Sequence, residues 1–540
     1  MTEDAFEEPA GPEAAYSPPR SSAVALAKAG LVVSGAYLVA RVLGYVRVVV
    51  IGTTFGAGED LDAFFAAFRI PDLIFQLVAA GAVASAVVPI VSGLVANDER
   101  SRAWRVVSTL INLMLAGLLV FAAIAFIWAP QLVAAITPGF SGAILDQTIE
   151  LTRIMLASPI LLALGAIVTA TLNSERRFAA SAVAPIVYNL AIIAAAVLLS
   201  DSFGVTGLAL GVVAGSFGLL VVQIPALRTV GFRYAPRIDF SDDQARNLLK
   251  LLGPRVLGLS ASQITMVVMT SLATGVGLGA VTAFTIAFAL YQIPMGVIGI
   301  PLGIVIFPSM SRELAVGRTG SYLELVARSV RILLFVMLPI AAIGIALRVP
   351  AVDLLLGYGQ FDEAAVAITA GTLLPLLLGL TGHAVIGVFA RAFYARQDTR
   401  TPVMAAILAV VVNTTLGFAL VGQYGLPALG LAIAIAAWIE AGVLLIVLRR
   451  REPELDVNGI LWVGARSLLA AVAAGFVALF TLEALIGQTP GDKVSFLLGS
   501  AVAGLLGAAV YVGLAFALRI PELRSMSAIL RDVVQRRTRG

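Results

Sequence analysis

The chain has 540 residues, 60% of them hydrophobic and only 13% charged, against roughly 25% charged in a soluble domain. Lys and Arg exceed Asp and Glu by 36 to 32, there is one His, and Cys is absent, which excludes disulfides, thiolate metal sites, Cys nucleophiles and His-rich metal centres. The net charge of +4 is spread over many short loops, so it reads as orientation charge and not as nucleic-acid affinity.

The first residues are acidic and rich in Pro and Ala, with Glu3, Asp4, Glu7 and Glu8. They lack the basic start of a cleaved signal peptide, so residues 1–22 read as a disordered cytoplasmic tail. Beyond them the chain is a succession of apolar runs. A hydrocarbon core about 30 Å thick needs roughly 20 apolar residues of helix. Fourteen stretches meet that length, at 23–54, 60–96, 103–129, 149–172, 178–200, 204–227, 246–274, 279–310, 323–348, 363–390, 401–421, 426–448, 460–485 and 494–518. The fold class is therefore an all-α integral membrane protein with about 14 transmembrane helices.

Arginines mark alternate gaps: Arg100, Arg102 and Arg105; Arg176 and Arg177; Arg228, Arg233 and Arg237; Arg312 and Arg318; Arg391, Arg396 and Arg400; Arg449 to Arg451. The other gaps carry almost no positive charge, with Lys493 the main exception. The positive-inside rule then places the basic gaps and both termini in the cytoplasm of a bacterial inner membrane. Past the last span, Leu523, Met526, Ile529, Leu530, Val533 and Val534 recur at helical spacing among arginines, so 519–540 reads as a basic amphipathic tail on the membrane surface. A frayed charged tail is the alternative from Arg536 onward. The lysines are Lys28, Lys250 and Lys493, none after a Gly-rich loop, so a built-in ATPase is excluded.

Function must be read from polar groups inside the spans. Arg41 and Arg47 lie six residues apart in the first span, about 600° of rotation, within a third of a turn of one another and about 9 Å apart along the axis. Intramembrane arginines normally face a wet cavity, and the guanidinium fork suits phosphate. Snorkelling of Arg47 and carboxylate pairing of Arg41 is the bland alternative. Asp62 and Arg69 share a face of the second span, ahead of Pro71 and Asp72, and read as a structural ion pair or a gate. Arg255 follows Gly253-Pro254 and precedes Ser260, Ser262 and Gln263; it reads equally as a cavity cation beside a helix break or as a packing residue. His383 reads as a hydrogen-bonded packing residue. Glu440 is the carboxylate well inside the twelfth span, a candidate for ion coupling together with Asn413. Asn173, Asn189 and Gln223 complete the polar set.

Ala63-Phe64-x-x-Ala67-Phe68 opens the second span and Ala283-Phe284-x-x-Ala287-Phe288 the eighth, followed by Pro89-x-x-Ser92 and Pro308-x-x-Ser311. The shared order predicts two copies of one six-helix unit, an N-lobe at 23–227 and a C-lobe at 228–448. Parallel repeats of this kind place the substrate site at the interface between lobes. Residues 449–518 form an appended helix pair.

At these positions the chain resembles the MurJ/MviN family of lipid II flippases, within the multidrug/oligosaccharidyl-lipid/polysaccharide exporter superfamily. The resemblance rests on Arg41-Val-Leu-Gly-Tyr-Val-Arg47, Phe55-Gly-Ala-Gly58, Asp62-Ala-Phe-Phe65, Pro71, Gly81 to Pro89, Pro138-Gly-Phe140, Leu172-Asn173, Arg177-Phe178, Ala184-Pro185, Asn189, Gly253-Pro254, Ser262-Gln-Ile264, Tyr358-Gly-Gln-Phe361 and Phe393-Tyr-x-Arg396-Gln-Asp398-x-Arg400-Thr-Pro402. It implies two lobes about a central cavity, two extra helices forming a lipid-facing groove, and export of an undecaprenyl-diphosphate-linked peptidoglycan precursor by alternating access. It also implies that Arg41 and Arg47 are cavity arginines and Asp62 a gate aspartate. Phe75 stands where better-known members carry arginine, and Phe288-Ala289 where they carry an Asp-Arg pair, leaving Arg255 as candidate replacement for a missing substrate-binding cation.

The expected activity is thus a lipid II flippase, not an enzyme, since no nucleophile–base pair is visible. Its partners would be lipid II, membrane lipids and cell-wall synthases, with no nucleic acid. No cofactor is expected; Na⁺, H⁺ or the membrane potential would supply energy. Three alternatives stand beside it: a flippase for another polyprenyl-diphosphate oligosaccharide, a cation-coupled multidrug exporter, and a non-transporting cell-wall scaffold.

Overall fold

The computed structural model describes residues 20–78, 82–239, 241–244, 246, 263–486 and 493–523, with side chains from residue 35 onward and excepting 77–86. Most of the acidic tail, Arg255 with its Gly-Pro break, and the basic tail from 524 lie outside the described residues. Among the described residues there is no strand, and twelve helices or helix pairs are long and apolar enough to cross a membrane. They coincide with the expected spans except the second and seventh. The second falls on α2 (Glu59–Val78) and α3 (Ala82–Ala96), either side of undescribed residues, and the seventh is described only as α11 (Gln263–Thr274).

The N-terminal half comprises α1 (Arg20–Phe55), α2, α3, α4 (Arg100–Ile127), α5 (Ala129–Ile136), α6 (Ala143–Met155), α7 (Ala157–Ser174), α8 (Phe178–Leu198), α9 (Ser200–Val221) and α10 (Ile224–Thr229). Here α8 packs on α1 and α9, α2 on α6, and α3 on α7. After α11 come α12 (Ala280–Pro294), a π-helical turn (Met295–Gly299), α13 (Ile300–Ala315), α14 (Thr319–Ala346), α15 (Arg348–Leu356), α16 (Glu363–Ala395), α17 (Arg400–Tyr424) and α18 (Pro427–Arg451). α16 is the hub of this half, packed on α12, α14 and α18. Helices approach closely where both carry small residues; a Cβ on Gly379 would lie 2.7 Å from Ala434 Cα. Without a hydrophobic drive between helices in lipid, such close packing is the main source of association. Large apolar side chains such as Leu119, Phe121, Leu505 and Phe516 remain exposed, as a chain solvated by lipid requires.

The final pair, α19 (Val457–Ile486) and α20 (Lys493–Ala517), packs against α14. It is tied down at three levels. Arg331 of α14 pairs with Asp456 and Glu522, each at 3.0 Å. Tyr511 Oη donates to the Phe335 carbonyl at 2.6 Å. Lys493 Nζ reaches Asp353 Oδ2 at 2.8 Å and the Gly357 carbonyl at 3.0 Å. The exception to the charge rule is therefore a lysine neutralised by a carboxylate on its own side.

The two Ala-Phe motifs share a local geometry. Phe64 and Phe68 stack at 6.4 Å with planes 29° apart, and Phe284 and Phe288 stack at 6.1 Å and 26°. Ala63, Ala67, Ala283 and Ala287 are all fully buried.

Candidate functional site

A cavity of about 710 Å³ lies between the two halves. Its wall takes Arg47 from α1, Arg69, Asp72 and Gln76 from α2, Gln263 from α11, Thr285 and Gln292 from α12, His383 from α16, Asn413 from α17 and Glu440 from α18. Phe65, Phe68 and Phe288 supply its apolar part. The volume is within the range of small-ligand sites, about 300–1,000 Å³.

Neither cavity arginine forms a close salt bridge among the described residues, although Asp72 on the same wall interacts electrostatically with Arg69. Arg47 stacks its guanidinium over the Tyr188 ring, 5.6 Å from the centroid. Arg69 Nε donates to Thr270 Oγ1 at 2.8 Å and its Nη2 to Thr285 Oγ1 at 3.1 Å. The nearest acid in sequence, Asp72, accepts from Gln76 at 3.4 Å. Hydroxyl and ring partners hold the two guanidiniums in place while leaving their positive charge available to an anion.

Arg41 is placed differently. It is absent from the cavity wall, and its guanidinium lies over Gly296 in the π turn, where it fills the space a Cβ would take.

The expected Asp62–Arg69 pair does not form. Asp62 is fully buried, and its Oδ1 accepts from Thr282 N at 2.7 Å and Thr282 Oγ1 at 2.6 Å. The first turn of α12 has free N–H groups and a positive dipole end, and its own N-cap, Gly279, offers no side chain. Asp62 supplies that cap from the other half of the chain. Arg69, two turns on, is turned instead to its threonines.

Around Asp62 the two halves form a tight seam. Gly139 N donates to Thr274 Oγ1 at 3.1 Å, and a Cβ there would lie 2.1 Å from the Thr274 carbonyl. Gly56, at φ +69°, sits under the Gln360 carbonyl, while Gln360 N donates to Thr53 O at 2.9 Å. The short motifs at 55–58, 138–140 and 358–361 thus close one end of the cavity, the end away from the basic loops.

Glu440, Asn413 and His383 share the opposite wall. Asn413 is 3% exposed and its Oδ1 has no hydrogen-bond partner. His383 meets Tyr291 edge-on at 5.8 Å and interacts with the Gly379 backbone one turn back on its own helix. Phe75 packs into the N-terminal core. Asn189 serves α1, donating to the Ala40 carbonyl at 3.3 Å, and Gln223 joins α9 to α7 through Thr169 at 2.8 Å. The motif at 393–402 is a loop clasp. Asp398 accepts from Arg400 N, Thr401 N and Arg451, and Arg396 pairs with Glu452.

Sequence reasoning passed over Gln76, Thr285 and Gln292, which lie one or two turns from the singled-out residues. The signal was an amide or hydroxyl interrupting an otherwise apolar span. It also counted Arg391 as a loop residue, whereas it belongs to α16.

Two helical halves enclosing an arginine-bearing cavity, with an appended helix pair, define a polytopic transporter of the multidrug and lipid-oligosaccharide exporter architecture. Solved structures agree on the fold. A lipid II flippase MurJ in an inward closed conformation aligns with a TM-score of 0.75 at 22% identity, covering 93% of this chain and all of that one. An inward-facing MATE family transporter of the MOP superfamily aligns at 0.64 and 16%, covering 77% and 95%.

The family model described as lipid II flippase MurJ matches residues 51–501, and the chain belongs to that family. A lipid II flippase MurJ of Burkholderia cenocepacia is 29% identical over 91% of this chain and 96% of its own length. A probable lipid II flippase MurJ of Rhizobium tropici is 31% identical over 79% and 82%.

Proposed function

We propose that this chain moves lipid II, an undecaprenyl-diphosphate-linked cell-wall precursor, from the inner to the outer leaflet of the bacterial cytoplasmic membrane. The observation that carries the reading is the pair Arg47 and Arg69, held in the cavity by Tyr188, Thr270 and Thr285 and without a close salt bridge among the described residues. A diphosphate supplies the oxygens that two guanidinium forks need. The prenyl tail stays in lipid while the head crosses, and no bond is made or broken. Arg41 joins the site when its guanidinium leaves Gly296. A cavity built around arginines disfavours organic cations, which sets the multidrug reading aside.

Glu440 and Asn413 are the residues to which this reading gives ion coupling, by H⁺ or Na⁺, with the membrane potential as the alternative drive. An unpartnered amide oxygen beside a carboxylate is suited to either ion. The basic loops and both termini face the cytoplasm, and cell-wall synthases are the natural acceptors of the product.

The test is complementation of a strain depleted of its own lipid II flippase, with leaflet-specific labelling of lipid II. Labelled lipid II should appear outside on expression of this chain. Growth without restored labelling, or restoration of another lipid-linked glycan alone, overturns the assignment.

A further inference from the structure

Arg391 stands near the end of α16 that adjoins the basic loops, and it is half-buried. Its Nη1 donates to the carbonyl of Gly387 on its own helix at 2.7 Å, and no carboxylate pairs with it among the described residues. The guanidinium lies across α13 at Gly303, where Nη1 and Cζ fill the space a Cβ would take. Seven residues earlier, Gly296 receives Arg41 in the same way. Gly296 lies in the π turn and Gly303 in the α13 that continues it, so the two notches are roughly 10 Å apart along one span. One span therefore presents two guanidiniums, one from each half of the chain, in adjacent glycine notches.

Packing alone gives no reason for this. Helices in contact need small neutral residues, whereas an arginine laid on a neighbouring helix without a counter-ion is suited to an anion. In these notches Arg41 stays exposed and Arg391 half-buried. The notches are further apart than neighbouring phosphates of a diphosphate, so both forks reach one such anion only when the two side chains swing toward each other, which a single phosphate gives less reason to do. A ligand bridging the halves also biases their relative position, because it contacts both in one state only.

We propose that Arg391 is a second-half contact for the phosphates of the transported lipid-linked diphosphate, opposite Arg41, and that Gly303 is its positioning residue. This rests on the function proposed above. Phospholipid headgroups share the phosphate chemistry, so the test must separate them.

The full chain in neutral-lipid nanodiscs is titrated with undecaprenyl diphosphate, undecaprenyl monophosphate and phosphatidylglycerol. Wild type is compared with R391A, R391K and G303A. R391A should weaken diphosphate binding about ten- to a hundred-fold, the loss expected for a charge-assisted contact, with a smaller effect on the monophosphate. R391K should recover part of it. G303A need displace only the flexible guanidinium, so it should fold normally and bind the diphosphate several-fold more weakly; it carries the test if R391A does not fold. Wild type that binds no diphosphate lipid refutes the functional reading itself. Wild-type binding with R391A or G303A unchanged refutes this inference alone. Equal losses for diphosphate and phosphatidylglycerol assign the notch to bulk phospholipid and remove Arg391 from the substrate path.

Discussion

Replacing Asp62 with Ala should open the sealed end of the cavity. The carboxylate is fully buried and spans the two halves through two short hydrogen bonds to Thr282. A hydrogen bond to a charged group contributes about 1.5–3 kcal/mol, partly offset by the desolvation of the carboxylate itself. The seam should therefore lose roughly 2–4 kcal/mol, a shift of about thirty- to several-hundred-fold toward the state open at that end. Asp62→Asn is the informative control. Its amide oxygen can accept both bonds, and its Nδ2 takes the place of Oδ2, which has no partner. It should behave much closer to wild type. Because the chain has no Cys, one cysteine at Ala57, whose carbonyl lies against Gly279, reports opening through its rate of reaction with an impermeant maleimide. Labelling should accelerate strongly in Asp62→Ala and little in Asp62→Asn. Equal rates in wild type and Asp62→Ala, or an Asn variant as open as Ala, would refute the cap across the halves.

Three further outcomes are expected. Arg47→Ala should abolish flipping with the protein still folded, and Arg47→Lys should restore only part, since an ammonium lacks the planar fork; normal transport by the alanine variant would move the phosphate site elsewhere. A cysteine at Gly422 should react with an impermeant reagent from outside and ones at Arg177 or Arg396 should not; the reverse pattern would invert the topology. Asp398→Ala should lower thermal stability by about 1–2 kcal/mol, as for a lost helix cap. Desolvation opposes ionisation of Asp398, but hydrogen bonds from Thr401 and Arg451 outweigh it and hold the carboxyl well below its usual range. Its contribution is thus full above the ordinary Asp pKa and lost only as the pH falls through the depressed value; a wild-type minus Asp398→Ala difference that grows on acidification contradicts this.

Long apolar runs made the helices legible, because the bilayer leaves a spanning chain little other choice of backbone structure. Breaks inside spans were less so. The π turn at Met295–Gly299 looks in sequence like any apolar stretch with Pro294 and Pro301 nearby. Arg47 and Glu440 were found because a charge among apolar residues stands out. Asp62 was found for the same reason, but its partner was not, since Thr282 is 220 residues away and an obvious arginine lay two turns off. Arg391 was hidden by rank among loop arginines: composition shows where a span ends only to within a turn or so, and one turn separates a headgroup anchor from a residue lying on α13.

Asp62 and Thr282 stand just before Ala63 and Ala283, the first residues of the two Ala-Phe motifs. The hydrogen bonds that seal the cavity thus join matching positions of the two Ala-Phe motifs. In a symmetric pair of identical units this contact is unattainable. Two aspartates would set like charges face to face in a dry interface, and two threonines would leave the helix N-terminus without an anion. Covalent fusion of the halves frees each position to take its own residue, so one helix can cap the other without being capped in return. The closed end of this transporter is a lock whose bolt and socket were cut from the same template.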